Sequence, residues 1–365
     1  MTGTQAKAYI LLADGTVLTG ESFGATGTVI GEVVFATSMT GYQEMLTDPS
    51  YFGQILTQTY PLIGNYGVNS TDDESDRLWV KGYVVREWCR QPSNFRSEQT
   101  VDAYLKQQGI VGIHSVDTRA LTRKIRDMGV MNGMITTEDV NTQKEELLAR
   151  LHDYTIADAV KQVTCASPKH YPSDTHLCHV VMMDFGYRRN TLEALRKHGC
   201  DVTVVPAHTT AEQVLAYKPD GIMLSEGPGD PAENTEIIAT IKELTASKVP
   251  IFGVGLGHQM LALSQGAKTS KLKYGHRGGN QPVKDLLADR TYVTAQNHGY
   301  VVEGDSLDPS VAVVSHVNVN DNTCEGIKYK NIPAFSVQFH PESCGCPQDP
   351  TYLYDRFISL MKGAK

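Results

Sequence analysis

The sequence predicts an α/β protein: a strand-rich amino-terminal domain followed by a domain built on a mostly parallel, doubly wound sheet. Three observations predict it. Residues 1–163 carry short apolar runs broken by turn residues, residues 179–365 begin with apolar runs that alternate with helical stretches, and residues 164–178 between them hold two prolines and no periodicity. A chain of 365 residues is too long for one ordinary core, and its 41% hydrophobic content suffices for two.

In the first domain the runs 8–12, 29–36, 53–57 and 80–85 read as strands. Residues 101–108 have helical spacing. Asp117-Thr118-Arg119 opens a short amphipathic helix through 126 with Gly129 as its stop, and a further helix is expected over 142–152. In the second domain, strands at 180–184, 201–206, 221–224 and 251–254 alternate with helices at 189–198, 211–217, 233–246 and 256–265. A strand, a crossover helix and another strand make a parallel pair, and sites in such sheets lie beyond the carboxyl ends of the strands. Gly227, Gly255 and His340 all fall there.

Bulk properties exclude several classes of function. A formal charge of -8 with no basic stripe argues against a nucleic-acid surface. No run approaches the roughly 18 apolar residues of a membrane span, so a soluble cytoplasmic protein is expected. Seven cysteines, Cys89, Cys165, Cys178, Cys200, Cys324, Cys344 and Cys346, are scattered and odd in number, which favours reduced thiols. Cys344-Gly345-Cys346 reads as a loop, because a structural zinc site takes four ligands at recognisable spacings. No metal or cofactor is expected on this chain, which has no Gly-x-x-x-x-Gly-Lys-Ser/Thr run to cradle phosphate.

The most informative stretch is Pro250-Ile251-Phe252-Gly253-Val254-Gly255-Leu256-Gly257-His258-Gln259. An apolar strand turning sharply into a helix between small residues has the form of a nucleophile elbow. Its apex is Gly255, so the side chain lifted above the sheet is a hydrogen. Downstream, His340-Pro341-Glu342 follows the apolar run 334–339 and supplies a base with a carboxylate to orient it. His258 is expected to point away from the apex. The glycine pattern is not a dinucleotide fingerprint, since it lacks the Gly-x-Gly-x-x-Gly spacing and lies on the fourth strand. Glycine adopts positive φ readily where cysteine would be strained by about 1–3 kcal/mol, so a chain with Gly255 is expected to be at least as stable as one with cysteine there.

With these residues in place the chain resembles the class I glutamine amidotransferases, and within them the small, glutaminase subunits of carbamoyl phosphate synthetases. That family's elbow reads Gly-x-Cys-x-Gly-His-Gln, matched here at every fixed position except the cysteine. The resemblance runs over essentially the whole chain, through Gly31-Glu32-Val33-Val34-Phe35, Thr40-Gly41-Tyr42-Gln43-Glu44, Thr47-Asp48-Pro49-Ser50-Tyr51, Asp117-Thr118-Arg119, Ser225-Glu226-Gly227-Pro228-Gly229-Asp230-Pro231, Gly275-His276-Arg277-Gly278-Gly279-Asn280 and Gln296-Asn297-His298-Gly299-Tyr300. The amino-terminal matches set it apart from amidotransferases serving other synthetases, which are built from the second half alone.

The resemblance implies His340 as base, Glu342 as its orienting carboxylate, and the N–H groups of Leu256 and Gly227 as an oxyanion cradle. It also implies that glutamine is positioned by Ser50, Gly227, Gly229, Leu256, Gln259, Asn297, Gly299 and Tyr300, with Ser50 bringing the pocket to the domain boundary. The implied partner is the large synthetase subunit, which would bind ATP and Mg, receive ammonia and make carbamoyl phosphate for pyrimidine and arginine synthesis. Removing a nucleophile from a coupled catalytic unit lowers turnover on the order of 10⁶-fold, so glutamine is expected to bind and not be cleaved. The alternative is a non-catalytic partner that senses glutamine or stabilises the large subunit.

Overall fold

The computed structural model describes residues 6–140, 142–342 and 349–363. Cys344-Gly345-Cys346, read above as a loop, lies outside them. The chain forms two compact units, Met1–Ala157 and Asp158–Lys365.

The first unit is a closed seven-stranded barrel. Val29–Ala36, Gln54–Gln58, Gly82–Val84 and Val111–His114 pair in parallel succession. Val17–Gly24, Lys7–Leu12 and Met131–Thr136 continue antiparallel and close the ring onto Val29–Ala36. The two-residue period of the strands sends alternate side chains to different clusters. Ile10, Leu12, Val33, Ile55 and Ile135 pack with Leu121 and Ile125, whereas Val34, Leu56 and Tyr83 join Phe23 and Tyr104. The expected helices are Val101–Gln107, Thr118–Met128 and Lys144–His152. Thr118–Met128 starts where the Asp117 carboxylate accepts the Ala120 N–H at 2.9 Å and stops at Gly129, whose φ is 98°.

The second unit carries a ten-stranded sheet. At its centre, Cys200–Pro206, Cys178–Asp184, Gly221–Leu224, Ile251–Val254 and Ala334–Val337 run parallel in that spatial order. Beyond Ala334–Val337 the sheet continues antiparallel through Cys324–Tyr329, Arg290–Val302, Thr269–Asp285 and Ala312–Asn318. Both faces of the centre are covered, so its strands are near-continuous apolar runs. Val181, Met183, Ile222 and Leu224 pack on one face with Val214, Ile241, Leu244 and Met260 from Ala211–Ala216, Thr235–Ala246 and Leu256–Ser264. Val180, Met182, Met223 and Phe252 pack on the other with Leu192, Leu195, Leu353 and Phe357 from Arg189–Lys197 and Tyr352–Gly363.

The segment 164–178, expected to be a linker after a first domain of 1–163, instead belongs to the second unit. Lys169–Tyr171 pairs antiparallel with Cys200–Pro206 as an edge strand, and the Ser173 N–H donates to Asp201 Oδ1 at 2.7 Å. The preceding helix, Ala159–Val163, places Val160 in the core of that unit. A three-residue edge strand between Pro168 and Pro172 is too short to show a period, which is why its pairing was invisible in the sequence.

Candidate active site

Gly255 is the hinge between the strand Ile251–Val254 and the helix Leu256–Ser264, with φ 57° and ψ −114°. Its N–H donates to Val337 O at 3.0 Å, and its carbonyl accepts the first helical bond from Gln259 N at 3.2 Å. The glycines around it are required by close backbone approach. A Cβ on Gly257 would stand 2.3 Å from Leu224 O, and one on Gly253 would stand 2.9 Å from Gly257 O. At the apex itself a Cβ would meet Glu226 Cβ at 3.0 Å.

Gly227 lies against the chain at Phe185, where a Cβ would be 2.1 Å from the carbonyl oxygen and 3.1 Å from a Leu256 methyl carbon. This brings together the two residues expected to form the oxyanion cradle. Gly229 has φ 91°, a conformation that favours glycine.

The base lies just beyond Ala334–Val337. His340 N donates to Ala295 O at 3.0 Å, which ties the backbone of the His-Pro-Glu turn to the strand Arg290–Val302. Its imidazole is only 5% exposed, its Nδ1 lies 3.9 Å from Glu342 Oε1, and neither ring nitrogen has a hydrogen-bond partner among the described residues. Burial, with Arg188 beside it, holds this imidazole well below the usual histidine range, so it is neutral. Glu342 is locked in place. Its Oε2 accepts from Tyr354 OH at 2.9 Å, and its Oε1 accepts from Thr191 Oγ1 at 3.0 Å with Arg188 Nη1 3.5 Å away.

Glu226, quoted above only as part of a motif, proves to be part of the site. Its Oε1 accepts the Arg188 N–H at 2.7 Å and lies 2.7 Å from Thr191 Oγ1, while its Oε2 is buried with no partner among the described residues. A hydroxyl has one proton, so Thr191 can donate to only one of the two carboxylates it touches. Burial first, and Glu342 second, push the Glu226 carboxyl well above the ordinary range, so the pair holds a proton at neutral pH. Its sequence signal was a carboxylate inside a glycine- and proline-rich turn directly after the buried strand Gly221–Leu224.

The other expected substrate-positioning residues are distributed unevenly. Gln259 is buried and donates through Nε2 to Tyr300 O at 2.7 Å and Gln338 Oε1 at 2.8 Å, so both amide hydrogens clamp the elbow helix to neighbouring strands. Asn297, Gly299 and Tyr300 share the strand Arg290–Val302, and both side-chain polar atoms of Asn297 are buried without a partner among the described residues. Ser50 belongs to the first unit, where its N–H donates to Asp48 Oδ1 at 2.8 Å in the turn Pro49–Tyr51. His258 turns into the sheet, with Nδ1 2.8 Å from Ser336 Oγ.

Residues 10–135 match the family model "Carbamoyl-phosphate synthase small chain, CPSase domain", and residues 181–360 match "Glutamine amidotransferase class-I". A carbamoyl phosphate synthase small chain of Syntrophotalea carbinolica is 52% identical over 98% of both chains. The chain belongs to the carbamoyl phosphate synthase small-chain family. Small chains of Fusobacterium nucleatum, 51% identical over 96% of each chain, and Bacillus cereus, 48% identical over 98% of this chain and 97% of that one, are similarly close. In this small chain, then, an elbow, a glycine-lined turn and a histidine–glutamate pair lie at the carboxyl ends of parallel strands. No helix among the described residues is long and apolar enough to cross a membrane.

Proposed function

We propose that this chain is the glutamine-binding subunit of a carbamoyl phosphate synthetase whose own glutamine hydrolysis is abolished or strongly impaired. The observation that carries the reading is Gly255 at φ 57° and ψ −114°, on the elbow of a domain that retains His340 and Glu342. In an active amidotransferase a thiolate attacks the side-chain amide of glutamine, ammonia leaves, and water releases glutamate from the acyl enzyme. Here His340 has no thiol at residue 255 to deprotonate. The N–H groups of Leu256 and Gly227 would still polarise the amide carbonyl. Gly229, Asn297, Gly299 and Tyr300 would hold the rest of glutamine, as would the carbonyl side of the Gln259 amide. The large subunit would bind ATP and Mg and draw on free ammonia.

Retention of the unpartnered Asn297 amide favours continued ligand recognition, which also fits a second reading, a glutamine-sensing or stabilising partner of the large subunit. Calorimetry with glutamine and glutaminase assays, each with and without a large subunit, separate these readings. Binding without turnover, and turnover appearing on Gly255→Cys, are the expected results. Steady deamidation by the unaltered chain would overturn the proposal, and stabilisation of the large subunit without glutamine binding would favour a scaffold.

A further inference from the structure

We propose that Glu226, His340 and Glu342 form a buried site for a divalent transition metal ion of the zinc class. One ligand atom from each lies within 4.8 Å of the others, and all three residues are buried. Zinc takes imidazole nitrogen and carboxylate oxygen at roughly 2.0–2.2 Å in tetrahedral geometry, which puts neighbouring ligand atoms about 3.4 Å apart. Side-chain shifts below an ångström therefore close the three onto one ion. Two of them have coordinating atoms to offer: Glu226 Oε2 and both His340 ring nitrogens are buried without partners among the described residues. Unsatisfied polar atoms of this kind are costly unless a ligand takes them up. Glu342 is already oriented by Tyr354 and Thr191, the kind of outer support that fixes a metal-binding carboxylate.

Charge and space agree with this assignment. The proton held by the Glu226–Glu342 pair would leave as the ion binds, since metal ligands coordinate in their deprotonated form. At the apex, a side chain on residue 255 would press on Glu226 Cβ from 3.0 Å, and Gly255 adds none. Three protein ligands leave a fourth position open for water or for the amide of a bound molecule. A second buried cluster, His276, His298 and Glu325, does not qualify, because both ring nitrogens of His298 are engaged, at 2.7 Å with Tyr300 O and at 2.9 Å with Gln296 Oε1. No local pattern marks the site, since its ligands come from turns after two different strands.

The inference does not depend on glutamine binding and is tested without it. The full chain is stripped with chelator and titrated with Zn²⁺ against a chromogenic competitor. One equivalent is expected to bind, with at least tenfold weaker binding in Glu226→Gln and in His340→Asn and unchanged binding in His276→Gln. X-ray absorption at the zinc edge of the unsubstituted chain, which does not rely on the variants folding, is expected to show only nitrogen and oxygen ligands including one imidazole. Sulfur ligation, no stoichiometric binding, or affinity unaltered in folded Glu226→Gln and His340→Asn would overturn the site.

Discussion

Gly255 and Glu226 face each other so closely that a Cβ on residue 255 would stand 3.0 Å from the Glu226 Cβ. The positive φ of Gly255 adds a second penalty for any side chain. Backbone strain of this kind is worth about 1–3 kcal/mol. Gly255→Cys and Gly255→Ala are therefore expected to melt below the unsubstituted chain, as followed by calorimetry. A higher midpoint for the cysteine form would refute the strain argument.

The same proximity bears on restored chemistry. A thiol at 255 would lie beside a buried carboxyl that ionises only above neutral pH, where its like charge opposes formation of the thiolate. Gly255→Cys alone is expected to regain only part of the glutaminase rate. Gly255→Cys combined with Glu226→Gln is expected to be at least tenfold faster and to alkylate at lower pH. Equal rates and equal alkylation profiles would show that Glu226 does not act on the nucleophile.

Tyr354 tests how firmly the orienting carboxylate is held. Its hydroxyl donates to Glu342 Oε2 at 2.9 Å in a buried setting, and Tyr354→Phe removes that donor with little change of volume. Losing a hydrogen bond to a buried charged group costs about 1–3 kcal/mol. A matching fall in the urea midpoint is expected, and an unchanged midpoint would mean that Arg188 and Thr191 carry the carboxylate alone.

Two buried histidines predict the acid limb of stability. Burial, with His316 nearby, holds His258 at about 3, and burial with Arg356 opposing Asp285 holds His316 at about 4. Both fold neutral, whereas the unfolded chain takes up protons below about 6.5. Their contribution is constant above that pH and is lost as pH falls from 6.5 through 4 toward 3, at about 1.4 kcal/mol per pH unit for each group. Urea midpoints at pH 7.5, 6.5 and 5.5 are expected to hold between the first two and then drop. His258→Gln should flatten the drop, and a midpoint independent of pH across this range would contradict the assignment.

Much of this was legible in the sequence because it depends on local pattern. The cap at Asp117 and stop at Gly129 delimit a helix through neighbouring residues alone, and the run from Ile251 to Gln259 specifies strand, bend and helix by apolar content and glycine spacing. Closure of the first-unit barrel, the edge pairing of Lys169–Tyr171 and the antiparallel extension at Thr269–Asp285 and Arg290–Val302 depend on register between distant segments, which no local period encodes. The sequence by itself determined the alternating second domain and the absence of a nucleophile at residue 255. Only the tertiary structure decided that Glu226 stands with His340 and Glu342, and that Gln259 spends its amide hydrogens on Tyr300 and Gln338. The physical reason is that buried charges and amides take the partners packing presents to them, and packing is settled across the whole sheet.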